Sequence, residues 1–169
     1  MTRFLLLMSL SFFFGCGHNN PAPKPEPDGP TKADGLVSLE YGGTHGYHAH
    51  SNIDYKAERL ADGKTRITVM VGNDRDRVFE ADGAIMDTLE SIVRQYRMDR
   101  YKGNYQPKME ILDGDSWHFS LSFADGKETD CSGYMAYPHN RGREALGKVE
   151  GILSRWLYQE PAEDVALSQ

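Results

Sequence analysis

The sequence predicts an α+β domain: an antiparallel sheet of about five strands, in the order β-β-β-α-β-β-α, with two helices packed on one face. Three observations carry this prediction. Apolar and polar residues alternate with period two in several segments, two Ala-Asp-Gly loops join such segments, and two later stretches carry apolar residues at helical spacing.

The first segment alternates Val37, Leu39 and Tyr41 with Ser38 and Glu40. The second alternates Tyr47, Ala49, Ser51, Ile53, Tyr55 and Ala57 with His48, His50, Asn52, Asp54, Lys56 and Glu58. The third sets Ile67, Val69 and Val71 against Arg66, Thr68 and Met70. A strand with this pattern has one dry face and one wet face. Ala61-Asp62-Gly63 joins the second and third segments. A two-residue turn there would set Tyr55 opposite Met70, a dry position against a wet one. A three-residue loop, with Gly63 in the left-handed bulge position, pairs Ala57 with Ile67, Tyr55 with Val69 and Ile53 with Val71. It also sets Glu58 opposite Arg66.

The same loop recurs at Ala124-Asp125-Gly126 after Trp117, Phe119, Leu121 and Phe123, which alternate with His118, Ser120 and Ser122. Its register pairs Leu121 with Thr129 and Phe119 with Cys131, placing Cys131 on the dry face as a buried, inert thiol. The first helix carries Ile85, Leu89, Ile92, Val93 and Tyr96 on one stripe, with Asp82 as its N-cap and Gly103 as its stop. The second runs from about Arg141 to Tyr158, with Leu146, Val149, Ile152, Leu153, Trp156 and Leu157 on one stripe. Asn140 caps it, Pro161 ends it, and Gly147 with Gly151 predict close approach to another element.

Ahead of this domain stands a leader. Arg3 precedes an apolar run from Phe4 to Phe14, too short to span a bilayer, and Gly15-Cys16 closes it. The layout resembles a bacterial lipoprotein signal in which Cys16 is lipidated, although Phe13 and Phe14 stand where that motif carries Leu and a small residue. The expected organisation is a signal peptide over 1–15, a Pro-rich tether over 16–35, one domain over 36–160 and an acidic tail over 161–169. Removing the first 15 of the 169 residues leaves 154 and moves the formal charge from −6 to −7, because the leader carries Arg3. That balance disfavours nucleic acid and supplies no basic patch for anionic lipid. The membrane is therefore expected as a partner through acyl chains on Cys16. Gly17, where an Asp is associated with inner-membrane retention, sets the preference to the outer membrane.

Among chemical candidates, His45-x-x-His48-x-His50 is the sharpest. Two histidines at i and i+2 on a strand project from one face, about 7 Å apart at Cα, within reach of one metal ion. His118 and Asp54 fall on the same wet face, while the Gly42-Gly43 stretch before His45 reads as mobile. The competing reading is a row of solvated side chains. Tyr47, Tyr134 and Tyr137 compose a candidate aromatic platform for a sugar or peptide, against the reading that these rings close a corner between sheet and helix. Asp74, Asp76, Asp113 and Asp115 read as turn residues, since neither run continues into a full calcium loop. No serine elbow, phosphate loop or dinucleotide fingerprint is present, so no catalytic residue and no cofactor are expected.

Asp113-Gly-x-x-Trp117, the Phe123-Ala-Asp-Gly126 loop and the link from Ser132 to Pro138 together resemble a group of small bacterial envelope lipoproteins of unknown function. The resemblance covers the last third of the domain and implies no activity. The sequence thus reads as a lipid-anchored envelope protein whose domain binds a protein or glycan partner and performs no chemistry. The alternative is a metal-binding domain or metalloenzyme using His45, His48, His50 and His118.

Overall fold

Dry-face parity governs the first hairpin. The structure, a computed structural model, describes residues 35–44, 52–138 and 141–161. β1 (Leu36–Thr44) is followed by β2 (Ile53–Arg59) and β3 (Thr65–Val71). β2 and β3 pair antiparallel, with Ala57 opposite Ile67, Tyr55 opposite Val69 and Ile53 opposite Val71, as parity requires. The loop has three residues. Leu60 N–H donates to Lys64 O at 2.8 Å, and Gly63 takes φ +85°, a conformation open to glycine without strain. Glu58 stands opposite Arg66, but the ion pair it makes is with Lys56, at 3.0 Å.

Two short strands enlarge the sheet beyond the predicted five. β4 (Arg77–Ala81) pairs antiparallel with β3, and β5 (Gly103–Tyr105) pairs parallel with β7 (Glu128–Tyr134). The sheet is therefore mixed and seven-stranded, in the order β4-β3-β2-β1-β6-β7-β5, with β6 spanning Ser116–Phe123. β1 is central. α1 (Ala84–Gln95) carries the chain from the β4 edge across one face to the β5 edge, and a parallel β5 results from that crossover. In the second hairpin Phe119 opposes Cys131, Leu121 opposes Thr129, and Gly126 has φ +80°.

One face of the sheet is dry. Leu39 and Tyr41 of β1, Tyr55 and Ala57 of β2, Ile67 and Val69 of β3, and Trp117, Phe119 and Leu121 of β6 are all buried against the helices. Val37 is not among them. A register shift between Leu36 and Ser38 puts Leu36 in the core and turns Val37 outward, so strict alternation mispredicts that position. Gly42 and Gly43, expected to be mobile, lie inside β1 and pair with β2 and with β6.

Both helices are shorter than their apolar stripes. Gly83 holds the N-cap position of α1, and Asp82 Oδ1 instead accepts the Ala84 N–H at 2.8 Å. The helix stops at Gln95 rather than at Gly103, where Arg97 takes φ +51° and a 3-10 turn over Met98–Arg100 follows. α2 (Gly142–Leu153) gives way to a 3-10 turn over Ser154–Trp156, well before Pro161. Its buried stripe is Ala145, Leu146, Val149 and Leu153, and Trp156 reaches Phe79 of β4 at 5.3 Å. Asn140 lies outside the described residues.

Gly147 and Gly151 do not mark a close approach. Among the described residues a β-carbon at either position would meet nothing within 4 Å. Each is a helix-interior glycine with no packing reason to be one. Gly147→Ala and Gly151→Ala should therefore each stabilise the fold by up to about 1 kcal/mol. Gly63→Ala and Gly126→Ala should each lose about 1 kcal/mol by forcing a left-handed backbone. Urea denaturation of the four variants checks both signs, and a loss at Gly147 or Gly151 would mean that an unseen contact occupies that helix face.

Candidate functional site

The strands run between two poles. Leu36 pairs with Phe123 and Thr44 with Ser116, so Gly35 and both Ala-Asp-Gly loops share one pole. The opposite pole holds Thr44, Ser116, and the link from Tyr134 to Pro138. A nine-residue strand separates them by about 30 Å.

At this second pole the link after β7 folds back on the sheet. Trp117 Nε1 donates to Ala136 O at 2.9 Å, and the Tyr137 ring stacks on Trp117 at 5.8 Å with the planes 8° apart. A β-carbon on Gly133 would lie 2.6 Å from Trp117 Cε2 and Cζ2, so the indole needs glycine beneath it. The fold-back directs the chain into α2, whose exposed edge then runs beside the end of β1. Two hollows open between them.

The larger, about 380 Å³, is lined by Tyr41, Gly43, Ile53, Tyr55, Ser116, Glu150, Ser154, Leu157 and Tyr158. The smaller, about 190 Å³, is bounded by Trp117, Tyr137, Arg143, Leu146 and Asp115, and it shares Tyr41, Ser116 and Glu150 with the larger. Tyr41 Oη donates to Glu150 Oε2 at 3.2 Å and divides the two. Burial pushes the Tyr41 hydroxyl pKa well above its ordinary value, and the Glu150 charge and hydrogen bond push it further. Tyr55 is raised by burial and then by Glu150 and Tyr158, against a lowering by Arg77. Glu150 thus sets a negative potential that both buried phenols feel. Arg77 donates Nη1 to Leu157 O at 2.7 Å, behind the wall of the larger hollow.

The open face of the sheet is polar and shallow. His118 stands on it, half-exposed, with Nε2 3.3 Å from Asp54 Oδ1 on a strand two places away. Gly42 lies between them in the ladder, and a β-carbon there would fall 1.8 Å from Asp54 Oδ1. The approach is an ion-pair distance without hydrogen-bond alignment, since Oδ1 accepts no hydrogen bond among the described residues. A depression of about 490 Å³ beside His118 is edged by Glu40, Asn104, Asp130 and Ser132.

Cys16, His45, Tyr47, His48, His50 and His139 lie outside the described residues. Among the described residues no three His, Cys, Asp or Glu side chains converge as metal ligands. Tyr134 and Tyr137 do not form one platform. Tyr134 projects toward the open face and donates its hydroxyl to Ile111 O at 2.8 Å, whereas Tyr137 lies against Trp117 on the helix side. Sequence reasoning missed Tyr41, Tyr55, Tyr158 and Glu150 as a group. Tyr41 and Glu150 are 109 residues apart, and no local spacing signals their meeting.

No protein-family model matches the chain, and no curated protein matches it in sequence. Among the described residues no helix is long and apolar enough to cross a membrane. The fold and its polar cleft define an α+β domain with an aromatic, acidic hollow at the pole away from Gly35.

Cys131 lies on the dry face, 5% exposed, and burial pushes its thiol up to about 11 from an ordinary 9.0. The thiol is inert at neutral pH, as its dry-face position in the sequence predicts. The folded state holds its proton longer than the unfolded state does. Stability should therefore fall as pH rises from 9.0 to about 11, and Cys131→Ala should reduce that slope, most clearly below the ordinary tyrosine value of 10.0, above which Tyr41 and Tyr55 contribute to it as well. Denaturation midpoints across this pH window, with thiol titration of the native protein at pH 8, check the prediction. Rapid labelling at pH 8 would contradict it.

Proposed function

We propose that this chain is a lipid-anchored cell-envelope protein, acylated at Cys16, whose α+β domain is a non-enzymatic binding module. Residues 16–35 act as its tether, and the outer membrane is its site. The observation that carries the reading is polarity of the fold. Gly35, where the tether joins, is held at one pole by Glu90 Oε1 (3.3 Å) and by its carbonyl to Ala124 N–H (2.8 Å). The cleft opens at the other. The cleft thus lies at the pole away from the tether's attachment, open to a partner.

Several features support a binding role over catalysis. Among the described residues the cleft offers π faces, the carboxylates of Glu150 and Asp115, the Arg143 guanidinium and hydroxyls, but no nucleophile paired with a base. Cys131 is buried, and His118 stands on the opposite face of the sheet. One acyl chain holds a protein marginally, so the lipoprotein modification must supply several.

Metabolic labelling with a fatty-acid probe tests the anchor. Wild type should take up label and sediment with membranes, while Cys16→Ala should be unlabelled and released. Equal labelling of both proteins would contradict the reading.

A further inference from the structure

β1 is at once the first strand of the domain and the middle strand of its sheet. It pairs antiparallel with β2 from Ser38 to Gly43 and with β6 from Leu36 to Thr44. The interstrand hydrogen bonds of an antiparallel pair lie perpendicular to the strands. Force applied at Gly35 along the strand axis therefore loads both ladders in shear, and many bonds must break together. Force applied across the strand would open a ladder one bond at a time.

A clasp closes the point where such force enters. Gly35 N–H and Leu36 N–H donate to the two carboxylate oxygens of Glu90, each at 3.3 Å. Gly35 O accepts from Ala124 N–H at 2.8 Å, and Leu36 O accepts from Arg59 Nε at 3.3 Å. Arg59 is itself tied to α1, through Asp87 at 2.9 Å and Glu90 at 3.3 Å. The Leu36 side chain is fully buried. The end of a domain frays unless it is tied down. Here α1, β2 and the second hairpin loop all hold the same two residues, partly through charge-assisted hydrogen bonds, which are stronger than neutral ones. The Glu90 side chain is 16% exposed, so it is largely shielded from competing water.

We propose that the domain is a tension-bearing link, in which pull on the tether enters β1 as shear and the Glu90–Arg59 clasp keeps the strand from peeling at Gly35. The proposal rests on the reading of the chain as an anchored binding module and names what that module does between its anchor and a partner gripped at the other pole. A slack tether imposes no orientation on the domain. Under tension the line of force joins Gly35 to the gripped pole, and β1 lies along that line. Tension needs a partner that is itself held, so the partner belongs to a fixed structure and is not a diffusing ligand. At the clasp α1 shares the pull with β2, so force reaches the helix layer as well as the sheet.

Single-molecule pulling on the full chain tests this. Handles are attached through Lys24→Cys and a second new cysteine, in a Cys16→Ala background, while Cys131, buried and unreactive, stays unlabelled. With Asp115→Cys, just before β6 at the far pole, the pull shears β1 against β6. With Ala124→Cys, just after β6 at the near pole, it peels them apart. Relative to its own unloaded unfolding rate, the sheared chain should survive a fixed load at least about tenfold longer than the peeled one. Glu90→Ala should shorten the sheared lifetime roughly tenfold, and by more than it speeds unfolding in denaturant without load. Glu80→Ala, which removes the Lys64 ion pair on the edge strand β4, should leave the sheared lifetime unchanged within about twofold. Equal lifetimes for the two pulling directions would overturn the proposal. So would a Glu90→Ala effect no larger under load than without it, because the clasp would then be an ordinary stabilising contact. Neither result bears on Cys16, whose labelling tests the anchor alone, so a failed link and a failed anchor are told apart.

Discussion

Trp117 occupies the point where three segments distant in sequence must meet. Its ring lies over Gly133 of β7, stacks on Tyr137 of the link to α2, and stands 6.1 Å from Tyr105 of the β5 edge. Its Nε1–H satisfies the Ala136 carbonyl, so the indole is both packed and hydrogen-bonded, as a buried Trp must be. Without that anchor the link would have no fixed exit angle, and α2 would lose its position over β1. The two hollows exist because α2 is held there. Asp113-Gly-x-x-Trp117 and the link from Ser132 to Pro138 are parts of this corner. Their role is architectural.

The central strand serves two faces with different demands. On the helix side, Leu36, Leu39 and Tyr41 join a continuous apolar layer whose burial drives folding. On the open side, Glu40, Lys56 and Glu58 form surface ion pairs of 3.0 to 3.4 Å, each contributing well under 1 kcal/mol. Glu40 and Lys56 pair across neighbouring strands, whereas Lys56 and Glu58 pair along β2. Gly42 and Gly43 mark where the strand yields to its neighbours. Gly42 makes room for the Asp54 carboxylate, and Gly43 admits the Ser116 backbone, which would lie 2.1 Å from a β-carbon.

Period-two alternation made β2, β3 and β6 legible, and parity alone fixed both hairpin loops. Alternation failed where the backbone itself departs from a regular strand, as at Val37, which the shift between Leu36 and Ser38 turns outward. β4 and β5, five and three residues long, are too short for a periodic signal. β5 also depends on a parallel pairing with β7, a long-range contact that no local pattern encodes. The glycines of α2 misled for a related reason. Small residues at four-residue spacing permit close approach but do not require it, and here no described residue makes one. The cleft was the least legible feature, since Tyr41, Tyr55 and Glu150 each read as ordinary strand or helix residues.

The account holds that the aromatic corner places α2, and that α2 makes the cleft. A double-mutant cycle on Gly133→Ala and Trp117→Phe tests that claim most directly. Gly133→Ala alone should cost about 1–3 kcal/mol by overpacking against the indole. Trp117→Phe removes the indole atoms it would strike, though not the Ala136 carbonyl, which also lies 2.6 Å from that β-carbon. The double mutant should therefore be about 1 kcal/mol more stable than the sum of the single losses predicts. Strict additivity of the two substitutions would contradict the account, because it would mean that Trp117 does not hold the corner from which the cleft is built.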